Sequence, residues 1–170
     1  KTGVKKGTFK NVTVLIQLLR RLFQYTDGKK NTTNCSFMER TRSFDTRIAT
    51  MEKKTVVLCY LPTSTNSEIT ELLEKLKDFC EIKCKSFMKK YTILYNTSKH
   101  ELSDKEIQDA IEYESNEAEY VLILCAGKMR EGYTEPKCDH VFLLDDTKSY
   151  DRYIQTMYRG FTPDRANDKK

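Results

Sequence analysis

The chain is expected to fold as an α/β domain, a parallel β-sheet flanked by helices. Three observations predict this. Four short apolar runs recur, at Thr55–Leu61, Tyr91–Tyr95, Tyr120–Cys125 and His140–Leu144. Segments with helical spacing separate them, so strand and helix alternate as in βαβ units. The runs are continuous and several are rich in β-branched residues, which is the pattern of strands buried on both faces.

Taken in order, residues 12–25 carry Val12, Leu15, Ile16, Leu19, Leu22 and Phe23 on one helical face, with Arg20 and Arg21 outside it. Gly28 and the run from Lys29 to Asn34 read as a loop. Between Phe37 and Thr50 basic and polar residues mix with an occasional Phe or Ile, and no period emerges. A different regime starts at Lys53. The strand Thr55–Leu61 stops at Pro62, and residues 63–67 offer hydroxyls to cap a helix over Glu68–Phe79, with Ile69, Leu72, Leu73, Leu76 and Phe79 on its stripe. Ser103 and Glu106 form a capping box that opens a helix running to about Asn116. Tyr150–Phe161 is the closing helix. Residues 1–50 are thus expected to be an N-terminal helix with an irregular arm or inter-domain connection, and residues 51–170 the sheet domain.

At 170 residues, 38% hydrophobic and 32% charged, the chain can bury a core and is not of disordered composition. No apolar stretch nears the ~20 residues of a membrane span. No secretory signal is evident, so a reduced intracellular compartment is expected, cytoplasm or nucleus. A fragment or expressed domain is expected, because the chain does not begin with methionine. The net charge of +5 permits a polyanionic partner without requiring one. Six cysteines stand at 35, 59, 80, 84, 125 and 138. Cys80 and Cys84 have no second pair beside them, so no metal site is expected.

Candidate chemistry lies in the loops that follow the strands, since ligands of parallel sheets sit outside the carboxyl ends. Gly127, Lys128, Arg130 and Gly132 follow the third strand, and Thr134 and Pro136 complete the loop. Glycines let backbone amides approach a phosphate, and the two cations add charge. An ordinary connecting loop with solvated charges would look the same, and no Lys-Ser/Thr follows the second glycine as a Walker loop requires. Thr63 and Ser64 follow the first strand at a helix start, where they either cap the helix or meet a phosphate. Residues 96–100 have the same character after the second strand. Gln155 and Arg159 lie one helical turn apart on a shared face. A surface arginine paired with Asp151 or Asp164 is the plain alternative.

The order strand, "REG…P" loop (Arg130, Glu131, Gly132, Pro136), strand, and "Q…R" helix (Gln155, Arg159) resembles the second RecA-like motor domain of superfamily 2 helicases, members of the P-loop NTPase fold. The resemblance covers roughly Lys54 to Arg165. The local form Met157-Tyr158-Arg159-Gly160-Phe161-Thr162 looks like helicase-like ATPases of large DNA viruses, which would add a viral replication or transcription compartment, or the virion, as a location. It implies that Arg159 and Gln155 serve catalysis, that Gly132, Thr134 and Arg159 meet the nucleotide, and that Thr63, Ser64, Gly127, Lys128 and Arg130 meet the DNA or RNA backbone. Departures stand at Ala126, where many members have a threonine, at Thr134 for an aspartate, and at Tyr158 and Thr162 in the last motif.

No G-x-x-x-x-G-K-[ST] loop and no Asp-Glu box is present. ATP and Mg²⁺ would therefore be bound mainly by a first motor domain of the same protein, with this chain inactive alone. The competing expectations are a non-catalytic nucleic-acid-binding or scaffold module of helicase-like fold, and an unrelated doubly wound domain for a small nucleotide.

Overall fold

The computed structural model describes residues 9–26, 36–44, 54–61, 68–97, 99–112, 117–126, 138–144 and 149–158. The chain divides into two compact units, residues 1–52 with 78–90, and residues 53–77 with 91–170.

The second unit holds the sheet. Its strands are β1 (Thr55–Tyr60), β2 (Tyr91–Asn96), β3 (Tyr120–Cys125) and β4 (His140–Leu143), all parallel in the order β2-β3-β1-β4. The register runs Tyr91, Tyr120 and Thr55 across one end and Asn96, Cys125 and Tyr60 across the other. β1 and β3 occupy the centre, and every residue of both is buried. That is why their sequences are apolar without alternation: each face meets protein. His140–Leu144 was expected to be a further buried strand. It is instead an edge strand, its residues all half-buried, because β1 covers it on one side alone.

Alternate residues separate the two faces. Val56, Leu58 and Tyr60 of β1 join Val121, Ile123 and Cys125 of β3, with Leu94, Val141 and Leu143 from the edge strands. On them pack Leu102 and two residues of α5 (Asp104–Glu112), Ile107 and Ile111, one helical turn apart. Burying each such side chain contributes about 1.5–3 kcal/mol relative to exposure. The capping box forms as expected: Ser103 Oγ accepts the Glu106 N–H (3.2 Å) while the Glu106 carboxylate accepts the Ser103 N–H (2.9 Å). At the other end of α5, Lys54 Nζ donates to the Ala110 carbonyl at 3.1 Å, a cation among the last carbonyls of a helix. Burial lowers the Lys54 pKa. On the opposite face Tyr91 and Tyr120, register partners, stack with ring centroids 4.6 Å apart. There the Tyr95 hydroxyl donates to Glu74 of α3 (Glu68–Lys83) at 2.9 Å.

The first unit is helical. In α1 (Val12–Phe23) Asn11 caps the start, its side chain accepting from Val14 N at 3.3 Å, and Leu19 and Phe23 are buried. A second helix, α2 (Phe37–Phe44), fills part of the stretch that carried no sequence pattern. Ser36 and Glu39 form a capping box here too, and the Glu39 carboxylate also accepts from the Thr26 hydroxyl (2.9 and 3.0 Å) and the Thr26 N–H. Residues 78–83, the last of α3, lie in this unit, and the helix extends beyond the expected end at Phe79. The Phe79 ring meets Phe9 edge-on at 5.4 Å. A bend at Cys84 leads into the one-turn helix α4 (Lys85–Met88), whose Phe87 and Met88 are buried. Cys80 and Cys84 are buried as well, so their four-residue spacing is that of a core stripe.

Candidate functional site

The parallel sheet places all four carboxyl ends along one edge. Leu61 N donates to the Cys125 carbonyl (3.0 Å), Ala126 N to Asn96 (3.2 Å) and Leu144 N to Tyr60 (2.9 Å), so the residues that leave β1, β3 and β4 stand in one hydrogen-bonded row with the end of β2. The loops singled out by sequence all depart from this row. Thr63, Ser64, Gly127, Lys128, Arg130, Gly132 and Thr134 themselves lie outside the described residues, and so does Arg159.

Gln155 is described. It sits on the helix α6 (Tyr150–Tyr158) and is exposed, whereas its neighbour Thr156 is 2% exposed. The helix start is tied down by Tyr153 N donating to the Ser149 carbonyl at 3.0 Å. Tyr150, Tyr153 and Tyr158 present large exposed rings on the same helix. The exposure of these rings is not legible in the sequence, because a Tyr in a helical pattern reads equally as core.

The stretch after β2 is the best described part of the edge. Thr97 Oγ1 accepts from the N–H groups of Lys99 (3.2 Å) and His100 (3.0 Å), and Thr97 N donates back to the His100 carbonyl (2.9 Å). This is a hydroxyl-closed turn. The N–H groups of Thr97, Lys99 and His100 are thus bonded within the turn, as in the capping alternative of the two that residues 96–100 left open. The Thr97 hydroxyl also lies 3.2 Å from that of Thr70 on α3, and the His100 ring stacks on Tyr95 at 4.5 Å. Asn96 is fully buried. Its Oδ1 accepts the Leu102 N–H at 3.2 Å and anchors the turn, while its Nδ2 has no acceptor among the described residues. That Asn96, within the candidate stretch 96–100, is a buried amide donor was not legible in the sequence, because asparagine after a strand is common in exposed turns.

The thiols near this edge are structural. Burial pushes the Cys59 thiol up to about 12 and raises that of Cys125 further, where nearby Cys59 and Cys138 add to the effect. Cys125 Sγ lies 3.8 Å from the Ile123 carbonyl, and Cys138 Sγ donates to that of His140 at 3.2 Å. Thiols held protonated make poor nucleophiles and poor metal ligands. Among the described residues no cluster of His, Cys, Asp and Glu is arranged to hold a metal ion, and no helix is long and apolar enough to cross a membrane.

No protein-family model matches this chain, and no curated protein matches it.

Proposed function

We propose that the chain serves as the second motor domain of a superfamily 2 helicase or translocase. The observation that supports this best is the row of carboxyl ends: an all-parallel sheet from which the loops 62–67, 127–137 and 145–148 depart, followed by a helix with Gln155 exposed. ATP with Mg²⁺, held mainly by a first motor domain, supplies the phosphoryl-transfer chemistry. Arg159 presents a guanidinium to the transferring group, Gln155 assists one turn earlier, and Gly132 and Thr134 border the nucleotide. Thr63, Ser64, Gly127, Lys128 and Arg130 hold a DNA or RNA backbone without reading bases. The test compares nucleic-acid-stimulated ATP turnover of Arg159→Ala with wild type in the protein that carries both motor domains. Turnover is expected to fall by about a thousandfold or more, the scale of an arginine finger, with ATP binding retained. Unchanged turnover overturns the motor reading.

A second reading is a non-catalytic nucleic-acid-binding or scaffold module. Two observations favour it: the buried Ala126 stands where many motor domains carry a phosphate-binding threonine, and the Lys99 and His100 amides after β2 are bonded within the turn. It predicts that Arg159→Ala leaves turnover unchanged while loop lysine substitutions weaken nucleic-acid binding.

A further inference from the structure

Charge is not spread evenly over the two units. Residues 1–52 with 78–90 carry fifteen Lys and Arg against six Asp and Glu, whereas the rest of the chain carries fifteen against nineteen. The overall excess of +5 therefore hides a strongly basic helical unit joined to a mildly acidic sheet unit.

Within the basic unit the structure orders several cations around two aromatic rings. Tyr25 follows α1, and its N–H donates to the Phe87 carbonyl at 2.8 Å, which fixes the end of α1 against α4. The Arg20 guanidinium lies over the Phe87 ring, 5.3 Å from its centroid. Lys89 and Lys90 Nζ lie 5.6 and 5.5 Å from the centre of Tyr25. Each distance is within reach of a cation–π attraction, which steadies long side chains that would otherwise be mobile. Arg20 and Lys89 are exposed, and Arg21, Lys83 and Lys85 in the same unit are exposed too. Arg20, Lys89 and Lys90, from two chain segments, are thus steadied against rings, with Arg20 and Lys89 exposed and Lys90 half-buried.

We propose that this surface, centred on Arg20, Lys89 and Lys90, binds the phosphate backbone of a nucleic acid. It uses residues other than those of the sheet's loops and does not rest on the motor reading. A lipid surface fits less well. A helix that lies in a bilayer keeps its apolar face for lipid, whereas Leu19 and Phe23 of α1 are buried in protein and of its apolar residues only Val12, Val14 and Leu18 are exposed. The cations also come from α1 and from the turn after α4, instead of lining one helix. Cations steadied on rings in a unit with a large positive excess match a backbone contact that is salt-sensitive and indifferent to sequence.

The test uses the whole chain and a fluorescent single-stranded oligonucleotide, titrated over a range of salt. Binding is expected to weaken linearly in log salt. Arg20→Gln/Lys89→Gln/Lys90→Gln should weaken it about tenfold or more at low salt and flatten the slope by about two, for three lost phosphate contacts. Lys99→Gln/Lys105→Gln, on the sheet unit, should change neither. Because Arg20 packs on Phe87, the unaltered chain provides a second readout: acetylation of Lys89 and Lys90 should be suppressed by the oligonucleotide, and that of Lys99 and Lys105 should not. Equal affinity of a folded triple variant, unprotected Lys89 and Lys90, or capture by phosphatidylserine vesicles without oligonucleotide binding would each overturn the proposal. The readout is equilibrium binding, so its failure leaves the ATP-turnover test of Arg159 untouched.

Discussion

Asp139 grips Val56 twice across 83 residues of sequence: its carboxylate accepts the Val56 N–H at 2.8 Å, and its own N–H donates to the Val56 carbonyl at 2.9 Å. One residue thereby aligns the start of β4 with the central strand. The side-chain bond satisfies a backbone donor that the edge strand, starting one residue later, does not reach. Asp139→Ala should cost about 1–3 kcal/mol by leaving that donor without its partner, and Asp139→Asn, which retains an acceptor oxygen, should cost less. Urea denaturation of the three chains measures it, and equal midpoints would show that water replaces the carboxylate.

The centre of the sheet should be far less tolerant than the surface. Leu122 is fully buried in β3, between β1 and β2, so Leu122→Ala should cost about 2–5 kcal/mol. Ile82, 73% exposed in α3, should lose no more than about 0.5 kcal/mol on truncation to alanine. Thermal melts of both variants check the contrast, and similar losses would contradict the assigned burial.

Buried thiols should be silent until the sheet opens. With Cys59 pushed up to about 12 and Cys125 raised as well, neither forms thiolate near neutral pH, and neither is reachable. Maleimide labelling followed by peptide mapping should leave both unmodified in the native chain and modify both in denaturant. Rapid native labelling of Cys59 or Cys125 would count against the burial described.

Acid should erase the benefit of the α5 capping box. The backbone N–H and then the hydroxyl of Ser103 bond the Glu106 carboxylate and hold its pKa below the ordinary 4.5. A carboxyl whose folded value is depressed contributes stability above its unfolded value, and that contribution is lost as pH falls through the folded one. Glu106→Gln should therefore melt lower than wild type at neutral pH, and the difference should close in strong acid. A gap that persists there would assign the effect to something other than the charge.

Local pattern carried the fold class but not the strand order. The runs at Thr55 and Tyr120 are legible because both faces of a central strand must be apolar, and the capping box at Ser103 because its two partners are three residues apart. That β1 lies between β3 and β4 depends on pairings such as Val57 with Leu122 and His140, which no window of sequence contains. The helix α2 had a readable box at Ser36 and Glu39, but it presents an exposed Phe37 and leans on Thr26, a partner outside any local period. For the candidate site, the strand ends follow from the parallel sheet, and Gln155 is exposed on its helix. The cations around Tyr25 and Phe87 were not legible, because Arg20 and Lys89 meet through rings distant in sequence.

The order β2-β3-β1-β4 also sets a clock on biosynthesis. β1 pairs with β3 and β4 and not with β2, so fifty-nine residues must follow Tyr60 before its first neighbour begins at Tyr120. At ~5–20 residues per second, a nascent chain carries the unpaired Thr-Val-Val-Leu-Cys-Tyr segment for roughly 3–12 seconds. Through that interval a strand that is buried along its whole length in the folded sheet has both edges open to other chains, which is the condition under which strands aggregate. Chaperone capture during translation is the protection such a topology calls for, and a message truncated before β3 would yield a product that never outgrows the need for it.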